Sequence, residues 1–98
     1  MRESVAVIGS RGMLGSALVE ELSPSFDLVA LTREDLDITR AEACREVVRS
    51  LEAGVVINAA GFTDVDGCEA RRAEAMMLNG TAVGYLAEVC RASGKKLV

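Results

Sequence analysis

The chain has 98 residues, a length that allows one small domain with an economical core. Its composition is 50% hydrophobic and 27% charged, which excludes the apolar-poor, charge-rich regime of disordered chains. The net charge of −4, two Phe and one Tyr, and basic pairs only at Arg71-Arg72 and Lys95-Lys96 argue against nucleic acid; no apolar run approaches the roughly 20 residues of a membrane span or a signal-peptide core, so no membrane and a cytoplasmic location are expected.

The first predicted element is the run Val5 to Ile8, short, β-branched and continuously apolar, as expected of a strand buried on both faces of a parallel sheet. Gly9 ends it. After the loop GSRGMLG (9–15), Leu14, Ala17, Leu18 and Leu22 form one apolar stripe on a helix that Ser23-Pro24 stops. Leu28 to Leu31 reads as a second strand, and Leu36, Asp37 and Ile38 as a very short further one behind the charged turn 32–35. Thr39 with Glu42 fits a capping box for a helix that buries Cys44, Val47, Val48 and Leu51 and reaches a left-handed cap at Gly54. VVINAA (55–60) is another buried strand, followed by a polar loop from Gly61 to about Gly67. A longer helix is expected from about Arg72 to Ala92, stacking Met76, Gly80, Val83, Ala87 and Cys90, with Gly80 and Gly84 permitting close approach to a strand or ligand. Ser93-Gly94 ends it, and KKLV opens a last strand. Strands alternating with helices specify an α/β fold, a Rossmann-like doubly wound parallel sheet truncated within its last strand, in one domain over residues 1–98.

Cys44, Cys68 and Cys90 are odd in number, widely spaced and unaccompanied by histidine, so they read as core residues with no disulfide framework and no metal site. The absence of histidine also removes the commonest general base.

A pyrophosphate needs backbone N–H donors at short range, which residues without side chains permit. In the loop, Gly9 would allow the tight turn out of the strand, Gly12 the approach of backbone to pyrophosphate, and Gly15 close packing of helix on strand. A helix beginning near Met13 would add the positive end of its dipole. The alternative is a strand-to-helix turn with glycines for conformation only; the strand before and amphipathic helix after favour binding.

The spacing here is G-x-x-G-x-x-G, and together with NAAG (58–61) it resembles the extended short-chain dehydrogenase/reductase superfamily. GSRGMLGSAL, LTREDLDIT, VVINAAGFTDVDGCE and LNGTAVGYLAEVCRASGKKLV together resemble the amino-terminal part of the dTDP-4-dehydrorhamnose reductase family, over essentially the whole chain. The most specific part is Asn58, Ala59, Ala60, Thr63, Val65, Asp66 and Glu69. The resemblance implies that residues Gly9, Arg11, Gly12, Met13, Leu14 and Gly15 bind the cofactor pyrophosphate, and that Asp37 and Ile38 flank the adenine. It implies further that Ala59, Ala60 and Gly61 lie against the adenosine ribose, that Thr63 lines the nicotinamide side, and that Asn79 supports the active site. Asn58 is either a cofactor contact or a polar strand end that holds its loop, while Asp64, Asp66 and Glu69 read as loop and cap residues in preference to a metal cage.

In NAD sites an acid at the end of the second strand takes the ribose 2′-OH, whereas here that strand runs into Thr32 and Arg33. Arg33, helped by Arg11, would take the 2′-phosphate, so NADP(H) is expected as preferred cofactor with NAD(H) tolerated. Against this, Glu34 and Asp35 follow at once and either would suit the ribose instead, and Arg33 also reads as an exposed residue of a charged turn. By resemblance, the parent reductase reduces the 4-keto group of a nucleotide-linked deoxysugar, using a Y-x-x-x-K pair. Here Tyr85 is followed four residues later by Val89, so that pair is absent, no residue of the chain is assigned a catalytic role, and the chain alone is expected to be inactive. By the same resemblance the sugar-binding region is expected to lie outside these residues, and an open edge at the strand of Val98 would invite pairing with another copy in a homo-oligomer or lower stability. Two alternatives share these features: an NAD-dependent nucleotide-sugar epimerase or dehydratase, and a non-catalytic regulatory subunit on the same fold.

Overall fold

A computed structural model describes residues 3–60 and 80–98. Four strands, β1 (Ser4–Ile8), β2 (Asp27–Leu31), β3 (Val55–Asn58) and β4 (Lys96–Leu97), form one parallel sheet in the order β2-β1-β3-β4. Among the described residues three helices accompany them: α1 (Met13–Leu22), α2 (Ala41–Ser50) and α3 (Ala82–Ala92). This is the doubly wound Rossmann-like sheet expected from the alternation of elements. The central strand β1 is buried along Val5 to Ile8, which explains its lack of polar alternation.

The chain leaves β1 toward β2 on one side and returns through α2 to β3 on the other. Right-handed crossovers therefore place α1 and α2 on opposite faces of the sheet. One face carries the main core, where Ala6, Ile8, Leu31 and Val56 meet Cys44 and Val48 of α2 and Leu86, Val89 and Cys90 of α3. Cys44 and Cys90 are thus the core residues their context predicted, with burial raising both thiols above the ordinary range. Cys68 lies outside the described residues.

Several local expectations are corrected. In α1 the buried position is Gly15, with Leu18, Val19 and Leu22 half-buried, while Leu14 is 60% exposed and Ala17 is exposed. The glycine lets backbone pack against backbone, so the face that approaches the sheet is defined by a residue with no apolar side chain. Helix α2 starts at Ala41 with Arg40 at its N-cap and no side-chain cap; Thr39 falls one residue before the cap, and its hydroxyl donates to Asp37. Its end is Leu51, three residues before Gly54, whose φ is not positive. The segment 36–38 forms no strand; Leu36 and Ile38 are nevertheless buried.

Helix α3 buries Ala82, Leu86, Val89 and Cys90, whereas Ala87 is exposed and Val83 only half-buried. Among the described residues, nothing lies within 4 Å of a Cβ built at Gly80 or Gly84. The expected earlier turns of this helix, including Met76, lie outside the described residues. The end of α3 is a Schellman motif: Gly94 has φ +69°, its N–H bonds the carbonyl of Arg91, and the N–H of Lys95 bonds that of Cys90.

A candidate dinucleotide cleft at the strand ends

At the carboxyl end of β1, Gly9 turns the chain with φ +78°, a conformation costly for any residue with a Cβ. A side chain there would also strike the backbone of Ala60 at 2.7 Å. At Gly15 a Cβ would overlap the carbonyl oxygen of Gly9, so the start of α1 can sit against the loop only because that position is bare. The Gly12 N–H bonds the Gly9 carbonyl at 3.1 Å, and Gly12 is the N-cap of α1 with no side-chain cap. The first amides of α1 consequently have neither an intrahelical acceptor nor a capping side chain, the arrangement that suits a phosphate.

The loop is fixed to its neighbours on both sides. The amides of Gly9 and Ser10 both donate to the carbonyl of Leu31 at the end of β2, and that of Ala59 donates to Ile8. The carboxamide oxygen of Asn58 accepts from Ala60 N–H at 3.1 Å, so Asn58 holds its own loop. Between β2 and α2, Asp37 Oδ1 accepts from Thr39 Oγ1 at 2.6 Å and Thr39 N–H at 3.0 Å. The Thr39 hydroxyl bond, with the backbone one, holds the Asp37 carboxyl below its ordinary pKa against the opposing effect of burial. The buried Cys44 thiol, kept protonated by its surroundings, donates to the carbonyl of Ile38 at 3.4 Å.

These three loops enclose a cleft of about 260 Å³ lined by Ile8, Gly9, Gly12, Arg33, Leu36, Asp37, Ile38, Ala59 and Ala60. It lies where strand order reverses between β2 and β3 on either side of β1, the usual position of a ligand in an open α/β sheet. Of the sequence-predicted residues, Gly9, Gly12, Arg33, Asp37, Ile38, Ala59 and Ala60 come together here. Gly15 is buried beneath the loop, and Arg11, Met13 and Leu14 are exposed outside the lining, Met13 at 93%. Gly61, Thr63 and Asn79 lie outside the described residues.

The sequence reading missed Ile8 and Leu36 as apolar walls and the Asp37-Thr39 pairing. The signal for the latter was the D-x-T spacing, which favours a side-chain-to-backbone turn. Missed too was the Thr32-Asp35 turn, in which Thr32 N–H and Oγ1 donate to Asp35 Oδ2 at 2.9 and 3.0 Å. Those bonds, backbone first, lower the Asp35 pKa, and the charge of Arg11 acts in the same direction.

Sheet order, glycine turn and cleft define a Rossmann-like α/β domain. A family model described as "RmlD substrate binding domain" matches residues 1–98. The chain belongs to this family, that of the dTDP-4-dehydrorhamnose reductases. It is 37% identical over 97 residues to a dTDP-4-dehydrorhamnose reductase of Mycobacterium tuberculosis, which covers 98% of this chain and 31% of the relative. A Streptomyces griseus protein of the same name is 41% identical over 97 residues, covering 94% of this chain and 31% of its own length. A crystal structure of dTDP-4-dehydrorhamnose reductase from Bacillus anthracis in complex with NADP superposes with a TM-score of 0.90 at 33% identity, over 99% of this chain and 35% of that one. The chain spans about a third of the length of these relatives.

Proposed function

We propose that this chain is the cofactor-binding portion of an NADPH-dependent sugar-nucleotide reductase, the longer protein reducing the 4-keto group of a dTDP-linked deoxysugar. The observation that carries the reading is the cleft itself: bare backbone at Gly9 and Gly12, an arginine on one wall and apolar Ile8, Leu36 and Ile38 on the others. Its volume falls just below the roughly 300–1,000 Å³ of whole-ligand pockets, which suits the adenosine end of an extended dinucleotide. The NADP of the Bacillus anthracis relative supports the same assignment.

Gly9, Gly12 and the first amides of α1 would hold the pyrophosphate. Asp37, Ile38, Ala59 and Ala60 would flank the adenosine, and Arg33, with Arg11 at the rim, would take the 2′-phosphate. In the same reading Met13, Leu14 and Gly15 shape the helix start, Gly61 joins Ala59 and Ala60 at the adenosine ribose, Thr63 lines the nicotinamide side and Asn79 supports the active site. When bound, the nicotinamide supplies the hydride; this chain's residues bind and orient the dinucleotide. The keto-sugar substrate belongs to the longer protein, for which a cytoplasmic setting is proposed. Among the described residues, no helix is long and apolar enough to cross a membrane.

Calorimetric titration with NADPH and NADH tests the reading. Both are expected to bind, NADPH more tightly. An Arg33→Ala chain should lose about 10-fold in NADPH affinity, the size of one charge-assisted contact, with little change for NADH. No heat with either dinucleotide would overturn the cofactor assignment, and an unchanged NADPH affinity would remove Arg33 from it.

A further inference from the structure

We propose that Asp35 sets how strongly this site distinguishes a dinucleotide carrying a 2′-phosphate from one carrying a 2′-hydroxyl. The proposal rests on the cofactor reading above and adds a specificity-determining residue to it. The carbonyl of Leu31 accepts from both Gly9 and Ser10, so the end of β2 and the phosphate loop are locked side by side. The next residue, Thr32, occupies the strand end at which the adenosine ribose of a bound dinucleotide is recognised. No acid stands at that position in the sequence, but the fold returns one to it. Asp35 Oδ2 takes both donors of Thr32, its amide at 2.9 Å and its hydroxyl at 3.0 Å.

Two consequences follow for the ligand. The Thr32 amide and hydroxyl, which would otherwise be donors for a phosphate at the strand end, are already used. Meanwhile Asp35 Oδ1 has no protein donor among the described residues and stays exposed, free to accept from a ribose hydroxyl and repelling a phosphate. Arg33 on the cleft wall supplies the opposite preference. Asp35 stands just outside the cleft lining, between Arg33 and Leu36 that belong to it, so the turn after β2 carries a cation for the phosphorylated dinucleotide and a carboxylate for the unphosphorylated one. Glu34 is exposed, and both Thr32 donors go to Asp35, so the seat belongs to Asp35 and not to acidity of the turn in general.

The test is titration of the whole chain with NADPH and with NADH, as wild type, Asp35→Asn and Glu34→Gln. Asparagine keeps an oxygen acceptor for Thr32 and so preserves the turn while removing the charge. The preference for NADPH over NADH is expected to rise roughly threefold to fivefold in Asp35→Asn, the size of one solvent-screened charge, and to change less than about twofold in Glu34→Gln. The difference should shrink as salt is raised toward 1 M, which a purely structural effect of the substitution would not do. An unchanged preference in Asp35→Asn, with both dinucleotides still bound, overturns the role of Asp35 and leaves the cofactor site standing. An equal shift in Glu34→Gln overturns the specific seat. If the wild-type chain binds neither dinucleotide, the cofactor reading fails and this proposal fails with it.

Discussion

At the level of single residues, the loops of the site are held by short polar pairings. Asp37 illustrates the point, because its carboxylate both lines the cleft and receives two bonds from Thr39. Bonds to a carboxylate favour its charged form, and its pKa lies below the ordinary value in the folded chain. The stabilisation is therefore complete above the unfolded-state pKa of about 3.9 and is lost as pH falls through the lower folded value. With discount for solvent exposure it amounts to about 1 kcal/mol. In Asp37→Asn the acceptor geometry survives and the charge does not. Urea unfolding should show a wild-type advantage that is constant between about pH 5 and 7 and narrows below about pH 4. An advantage that grows on acidification would contradict this account. The pairing was present in the sequence as D-x-T, yet Thr39 also satisfied a capping pattern with Glu42. The helix begins one residue later than that pattern requires, with Arg40 as its N-cap, so Thr39 stands outside the cap and gives both its amide and its hydroxyl to Asp37.

Elements end where side chains from elsewhere take over their unpaired groups, which is why boundaries were less legible than the elements themselves. The four strands were readable as apolar runs, most clearly at 5–8, where the strand is buried on both faces, while their order in the sheet follows from the fold. The end of α2 was not. Gly54 lies at the right distance for a cap, but the carbonyls of Leu51 and Ala53 are instead taken by Lys95 Nζ at 2.6 and 2.7 Å. Lys95 stands more than 40 positions away along the chain, just past the Schellman turn of α3, so no local pattern announces it. A cation at the carboxyl end of a helix also meets the negative end of its dipole. The glycine at position 15, by contrast, was legible from the glycine spacing of the loop, though not from the apolar stripe. A stripe reading selects Leu14 by hydropathy, while close packing selects the neighbour with no side chain. Lys95→Met keeps most of the stem and removes the clasp between the α2-β3 and α3-β4 connections. It should lower unfolding free energy by about 1–3 kcal/mol, which chemical denaturation would read as an earlier midpoint with unchanged slope. A midpoint equal to wild type would show that the two carbonyls find water without cost.

Across the whole molecule, the cleft is where three strand ends are tied together, and that makes ligand binding and stability one measurement. Its lining comes from the connections after β1, β2 and β3, and the hydrogen bonds from Gly9 and Ser10 to Leu31 and from Ala59 to Ile8 run between those same strand ends. Unfolding separates these segments and destroys the site, so a dinucleotide that binds there binds the folded chain alone. Mass action then adds RT ln(1 + [L]/Kd) to the unfolding free energy, about 2.7 kcal/mol at a ligand concentration near 100 Kd. For a chain of this size each kcal/mol moves the thermal midpoint by roughly 4–8 °C, which makes the effect easy to see. NADPH should raise the midpoint in proportion to the logarithm of its concentration, with Arg33→Ala needing about tenfold more NADPH for the same rise. NADH, lacking the phosphate that Arg33 addresses, should give curves that superpose for the two chains. A midpoint insensitive to both dinucleotides would separate the cleft from the cofactor. Curves for Arg33→Ala displaced equally with NADPH and NADH would instead show that Arg33 shapes the loop without reading the phosphate.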